Sequence, residues 1–151
     1  MEPIYITNKT NTHRYALGAD KGKVLYVLGV NPSMASNIKL DATVTNVKRF
    51  AQLLGFDSFM MLNISSQRAT DPNNMSERLN HKTHKKNVEV ICQQITSGST
   101  VWAAWGNLVE HRDYLYVYLL NVYNSINDRD LRWIKYGQYT KKGHPKHPAR
   151  K

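Results

Sequence analysis

A single cysteine, Cys92, occurs in 151 residues. This excludes an intramolecular disulfide and any zinc cage built on thiolates, and it fits a reducing compartment. Long hydrophobic runs are missing too: no apolar stretch approaches the ~20 residues that span a bilayer. The opening residues Met1-Glu2-Pro3-Ile4-Tyr5 lack the basic-then-apolar order of a secretion signal. A cytoplasmic location and no membrane partner are therefore expected. Several catalytic signatures are absent, among them HExxH, Walker A, GxGxxG and GxSxG. His81 and His84 are spaced to share a helix face, but no cysteine or carboxylate is placed to complete a metal site. Neither a metal nor another cofactor is expected.

Acidic residues are scarce: 11 Asp+Glu stand against 21 Lys+Arg, for a net charge of +10. After Asp130 there is no acid at all, while Arg132, Lys135, Lys141, Lys142, Lys146, Arg150 and Lys151 follow. Such a balance favours a polyanionic partner, nucleic acid or nucleotide. Lys141, Lys142, Lys146 and Arg150, in a basic tail over about 141–151, are the candidate phosphate contacts. The plainer reading of a charge run is a solvated chain end.

What the chain does contain is an alternation of apolar runs and helical patterns. Val24–Val30 is continuously apolar and reads as a strand buried on both faces, ended by Asn31-Pro32. Val44, Val47, Phe50, Ala51 and Leu54 have helical spacing, with Gly55 placed as a C-terminal cap. Phe59–Ile64 is a second strand, and a helix through Val88, Ile91, Cys92 and Ile95 follows it. Val101–Trp105 is a third strand. Asn107 and Glu110 then resemble a capping box for a helix carrying Leu108, Leu115, Leu119 and Val122. Leu131–Tyr136 is a fourth strand, and Arg14–Leu17 is a weaker candidate for an antiparallel addition. The β-α-β-α-β-α-β order predicts one α/β domain over residues 1–151, a three-layer α/β/α arrangement with a central, mostly parallel four-stranded sheet. Ligands collect at the carboxyl ends of such strands, here Asn31, Asn63 and Trp105-Gly106.

Each of these has a plain reading beside a chemical one. Asn31 on spacing alone caps a turn. Asn63 ends an apolar strand, where its amide either meets the edge of a nucleobase or is satisfied by backbone. Arg68 is placed to hold a phosphate bidentately, or is an ordinary exposed arginine. In Gly143-His144-Pro145-Lys146-His147-Pro148 two histidines beside cations are fitted for acid or electrophilic work, or form an inert loop.

Arg14–Leu17, Asn31-Pro32-Ser33-Met34-Ala35, Leu40-Asp41-Ala42-Thr43, Asn63–Pro72, Trp102–Gly106 and Gly143–Pro148 together resemble the DUF1643 family over nearly the whole chain. Gly29-Val30-Asn31-Pro32-Ser33, Leu62-Asn63, Trp105-Gly106 and one of the two His-Pro pairs are more distantly similar to the uracil-DNA glycosylase superfamily. That likeness implies a glycosylase-like α/β/α fold. It makes Asn31 the holder of a hydrolytic water and His144 or His147 the group that stabilises a leaving base. Ser33, Asp41, Asn63, Arg68, Trp105 and Gly106 become candidate ligand contacts. The expected function is handling of a nucleobase or nucleic acid, with hydrolysis of an N-glycosidic bond of a modified or damaged base. The alternative is a non-catalytic nucleotide or nucleic-acid binding module.

Overall fold

The computed structural model describes residues 3–36 and 39–148. The elements run β1 (Pro3–Thr7), β2 (Arg14–Ala19), β3 (Val24–Gly29), α1 (Ala42–Leu53), β4 (Ser58–Asn63), α2 (His81–Gln94), β5 (Thr100–Ala103), α3 (Tyr114–Ile126) and β6 (Arg132–Ile134). Short 3-10 turns at Pro72–Asn74 and Gly106–Glu110 complete them.

The sheet has six strands in the order β1-β2-β4-β3-β5-β6, which corrects the expected four. The four expected strands form its parallel block, β4-β3-β5-β6. β2 and β1 extend it antiparallel, so the sheet is mixed. β2, only a weak candidate from sequence, lies against β4 where Gly18 brings its backbone close: a Cβ there would sit 2.1 Å from the Phe59 carbonyl oxygen. β1 is easily overlooked because its strand-forming run Ile4-Tyr5-Ile6-Thr7 is short, follows a proline and is only half-buried.

Alternation along β3 divides the core. Leu25 and Val27 pack with Val44, Val47 and Ala51 of α1 on one face. Tyr26 and Leu28 pack with Val90 and Ile91 of α2 and Leu115 and Val122 of α3 on the other. Helix α1 is capped by Asp41, whose Oδ1 accepts from the Val44 amide at 2.9 Å, and ends before Gly55 at φ +85. Helix α3 opens at Tyr114, later than the expected box allows. Asn107 and Glu110 do not cap it; both turn toward the C-terminal segment instead.

This topology opens a crevice at the carboxyl ends of the parallel strands. The chain leaves β3 for α1 on one face and leaves β4 for α2 on the other. The divergence leaves space above the two neighbouring strand ends. Among the described residues no helix is long and apolar enough to cross a membrane.

Candidate functional site

A cleft of 340 Å³ fills that crevice, its walls including Asn31, Ser33, Asp41, Asn63, Ala104 and His147. Residues that are distant in sequence meet here because three strand ends, the start of α1 and the C-terminal segment converge.

Asn31 follows β3 by two residues. Its Nδ2 donates to the carbonyl oxygens of Ala69 at 2.8 Å, Pro32 at 3.3 Å and Gln67 at 3.5 Å. Three acceptors fix the orientation of the amide, and Oδ1 is the end left over. The loop after β4 is itself tied down by backbone bonds, Ser65 N–H to Val30 O and Ala69 N–H to Pro32 O. Asn31 is thus both a turn residue and a cleft residue.

Asn63 is 4% exposed and stands opposite Gly29 in the β3–β4 register. Gly29 makes the room: a Cβ there would lie 3.0 Å from Asn63 Nδ2. The backbone carbonyl of Asn63 accepts from Asn87 Nδ2 on α2 at 2.7 Å. Its Oδ1 accepts from Arg14 Nη2 at 3.4 Å, so the donor end of this amide is the one left for the cleft.

Arg14 was missed as a site residue. It is 2% exposed, lines the cleft and pairs with no carboxylate among the described residues. Nη1 donates to Ala35 O at 3.2 Å, while Nε is buried without a partner. Burial, and then the nearby Arg68, lower its pKa to about 10, opposed by Asp41 and Tyr5. It remains a cation at neutral pH. The sequence signal was an arginine opening an otherwise apolar string, Arg14-Tyr15-Ala16-Leu17, a residue type almost never buried unless it is paired.

Ser33 and Asp41 are coupled. Ser33 Oγ donates to Asp41 Oδ2, while Asp41 Oδ1 caps α1. Both carboxylate oxygens are therefore engaged in shaping the cleft wall. Arg68 does not reach into the cleft. Its guanidinium donates to Ser33 O at 2.5 Å, Ala35 O at 3.3 Å and the Tyr5 hydroxyl at 2.5 Å. Its donors hold the 33–35 loop from behind.

The two histidines separate. His147 lines the cleft and packs on Gly106, which has φ +61 and whose added Cβ would lie 3.2 Å from the His147 Cβ. The Gly106 amide also donates to Pro145 O at 2.8 Å, and Asn46 Nδ2 to Pro148 O at 3.3 Å. His144 instead faces a second groove together with Trp105, and its Nε2 donates to Glu110 Oε2 at 2.5 Å. Lys142 is 3.9 Å from the same carboxylate. Lys141, Lys142 and Lys146 do not line the cleft; Arg150 lies outside the described residues. No cluster of three His, Cys, Asp or Glu side chains fit to hold a metal occurs among the described residues.

No curated protein and no solved structure matches this chain. Residues 14–149 match a family described as a protein of unknown function, DUF1643, and those residues span all the elements that build the cleft. The chain belongs to the DUF1643 family.

Proposed function

We propose that the cleft is a nucleobase site and that the protein hydrolyses the N-glycosidic bond of a modified or damaged base, in the manner of the uracil-DNA glycosylases that its sequence resembles. One observation carries this reading. Two asparagine amides sit on neighbouring strand ends with opposite functional ends left over, Oδ1 of Asn31 and Nδ2 of Asn63. An amide oxygen held still by three carbonyls is suited to orient a water. A fixed amide N–H is suited to bind an exocyclic carbonyl on a base. The cleft volume falls within the range for small-molecule sites.

The roles follow from these positions. Water held by Asn31 attacks the sugar carbon as its bond to the base nitrogen breaks. The departing electron pair stays on the base, where His147 and Asn63 donate hydrogen bonds to the developing negative charge. The water proton passes to solvent. A base still stacked in a duplex cannot reach such a site and has to be extruded.

Product analysis on oligonucleotides bearing a panel of modified bases tests this. Release of a free base is expected, reduced about 100-fold or more in Asn31→Ala. Release from none of the panel by the wild type sinks the reading. A second reading, a non-catalytic nucleotide or nucleic-acid binding module, is favoured by one feature. Asp41, the acid of the cleft, has both oxygens engaged, which leaves no spare carboxylate as a base. Tight binding without turnover selects it.

A further inference from the structure

We propose that the aromatic groove beside the cleft is a binding site for single-stranded nucleic acid that delivers a base to the cleft. The groove, of 770 Å³, lies between α3 and the C-terminal segment, and its walls include Trp105, Tyr116, Tyr123, Trp133, Tyr139 and His144. Aromatic side chains of this number are ordinarily core, yet Tyr116, Tyr123 and Tyr139 are 47%, 45% and 58% exposed. Tyr123 and Trp133 lie with ring centroids 6.0 Å apart, and Tyr116 and His144 at 6.4 Å. Exposed rings along a groove offer stacking platforms that accept any base.

The charge around the groove fits the same occupant. Trp133, Tyr139, Gly143, His144 and Pro145 belong to the stretch after Asp130 that contains no acid. Lys135 Nζ lies over one face of the Tyr139 ring, 4.6 Å from its centroid, and donates to Gly137 O, which leaves the other face of that ring for a base and puts a cation close by for its phosphate. Glu110 is the acid at this rim, and His144 and Lys142 both meet it.

The groove also adjoins the cleft. Ala103 lines the groove and the next residue, Ala104, lines the cleft; His144 and His147 divide in the same way. Three residues of extended chain cover at most about 11 Å, so the groove and the cleft approach one another along the C-terminal segment, and a bound strand would pass from one to the other there. A duplex keeps its bases paired and stacked inward and cannot use these rings. Delivery to the cleft rests on the nucleobase reading of that cleft; binding in the groove does not.

The test is a fluorescence-anisotropy titration of the full chain with a labelled 12-nucleotide oligothymidylate and with a 12-base-pair duplex at two salt concentrations. Tryptophan emission is recorded together with it. Single strand should bind at least about tenfold more tightly than duplex, lose affinity steeply with salt and quench tryptophan. Tyr116→Ala and Tyr139→Ala alter exposed rings, and far-UV circular dichroism verifies their fold. Each should weaken single-strand binding roughly tenfold. Lys9→Gln, in the turn between β1 and β2 and outside the groove, shows how much of the affinity one surface charge contributes without any change to the rings. Equal binding of duplex without quenching, or single-strand binding that ignores both tyrosine variants, overturns the proposal. A concentration-dependent dimer that Tyr139→Ala dissolves and oligothymidylate leaves intact gives the groove to a second copy and overturns it too. Base release is scored separately. Intact groove binding without release sinks the cleft reading alone, whereas release that is insensitive to both tyrosines sinks the groove alone.

Discussion

Arg14 concentrates the residue-scale physics of this protein. A guanidinium 2% exposed with no ion-pair partner among the described residues is costly to bury. It is retained where two oxygens need its donors, Ala35 O on the Ser33 loop and Oδ1 of Asn63. The second contact decides which end of the Asn63 amide is left for the cleft. Arg14→Met removes both donors and leaves two acceptors unmet, so a loss of about 1–3 kcal/mol is expected in urea unfolding. Ligand affinity should fall beyond what stability explains, because the Asn63 amide is then free to turn. Wild-type affinity in a folded Arg14→Met protein would show that the arginine is only scaffolding. Asn31 and Asn63 were readable as polar residues ending apolar strands. Arg14 was not, because burial of a cation is a property of the packed sheet and not of its neighbours in sequence.

At the scale of elements, the parallel block was legible because each strand is an apolar run bounded by turn residues, and each intervening helix shows its own spacing. The antiparallel pair β1–β2 was harder to read: one strand is half-buried, and the other carries Gly18 within it. Gly18 has φ +156, and a Cβ would meet the Phe59 carbonyl oxygen at 2.1 Å and the Met60 Cα at 2.7 Å, both backbone atoms that cannot swing aside. Gly18→Ala should therefore disrupt the β2–β4 pairing and lower the melting temperature far more than Gly55→Ala, whose added Cβ meets nothing within 4 Å. Both sites have positive φ, so the comparison isolates the steric part. Equal shifts in thermal unfolding would mean that β2 yields easily. The misplaced capping box belongs to this scale too. Asn107 and Glu110 have the right spacing, but Thr140 Oγ1 donates to Asn107 Oδ1 at 2.6 Å and His144 to Glu110. Long-range partners outcompeted a local one.

Across the whole molecule, burial lowers the pKa of His13 and more strongly that of His84, and the larger link between stability and pH belongs to His84. It is buried where α2 meets α3, stacked on Tyr118 at a centroid distance of 3.8 Å. Its Nε2 accepts from Asn121 Nδ2 at 3.0 Å. Burial, and then His81, lower its pKa from 6.5 to about 4. Between those values the unfolded chain binds the proton and the folded one does not. The stability is therefore full above pH 6.5 and is lost as pH falls toward 4. Denaturant midpoints measured across pH 4 to 7 should decline in that window, and the decline should be shallower in His84→Gln. An equal slope in the variant would assign the acid sensitivity to other groups. The sequence by itself determined the alternation of strands and helices, the parallel block and the strand ends where polar residues gather. It also determined the basic, acid-free C-terminal stretch, because period, turn chemistry and charge are local properties. The tertiary structure decided that six strands form the sheet, that Arg14 is buried behind Asn63, that Arg68 is spent on loop carbonyls, and that His147 enters the cleft while His144 turns to Glu110. Those outcomes depend on contacts between residues 49 apart for Arg14 and Asn63, 63 apart for Arg68 and Tyr5, and 34 apart for His144 and Glu110. No local pattern encodes which of several equivalent side chains the packed chain brings to one place.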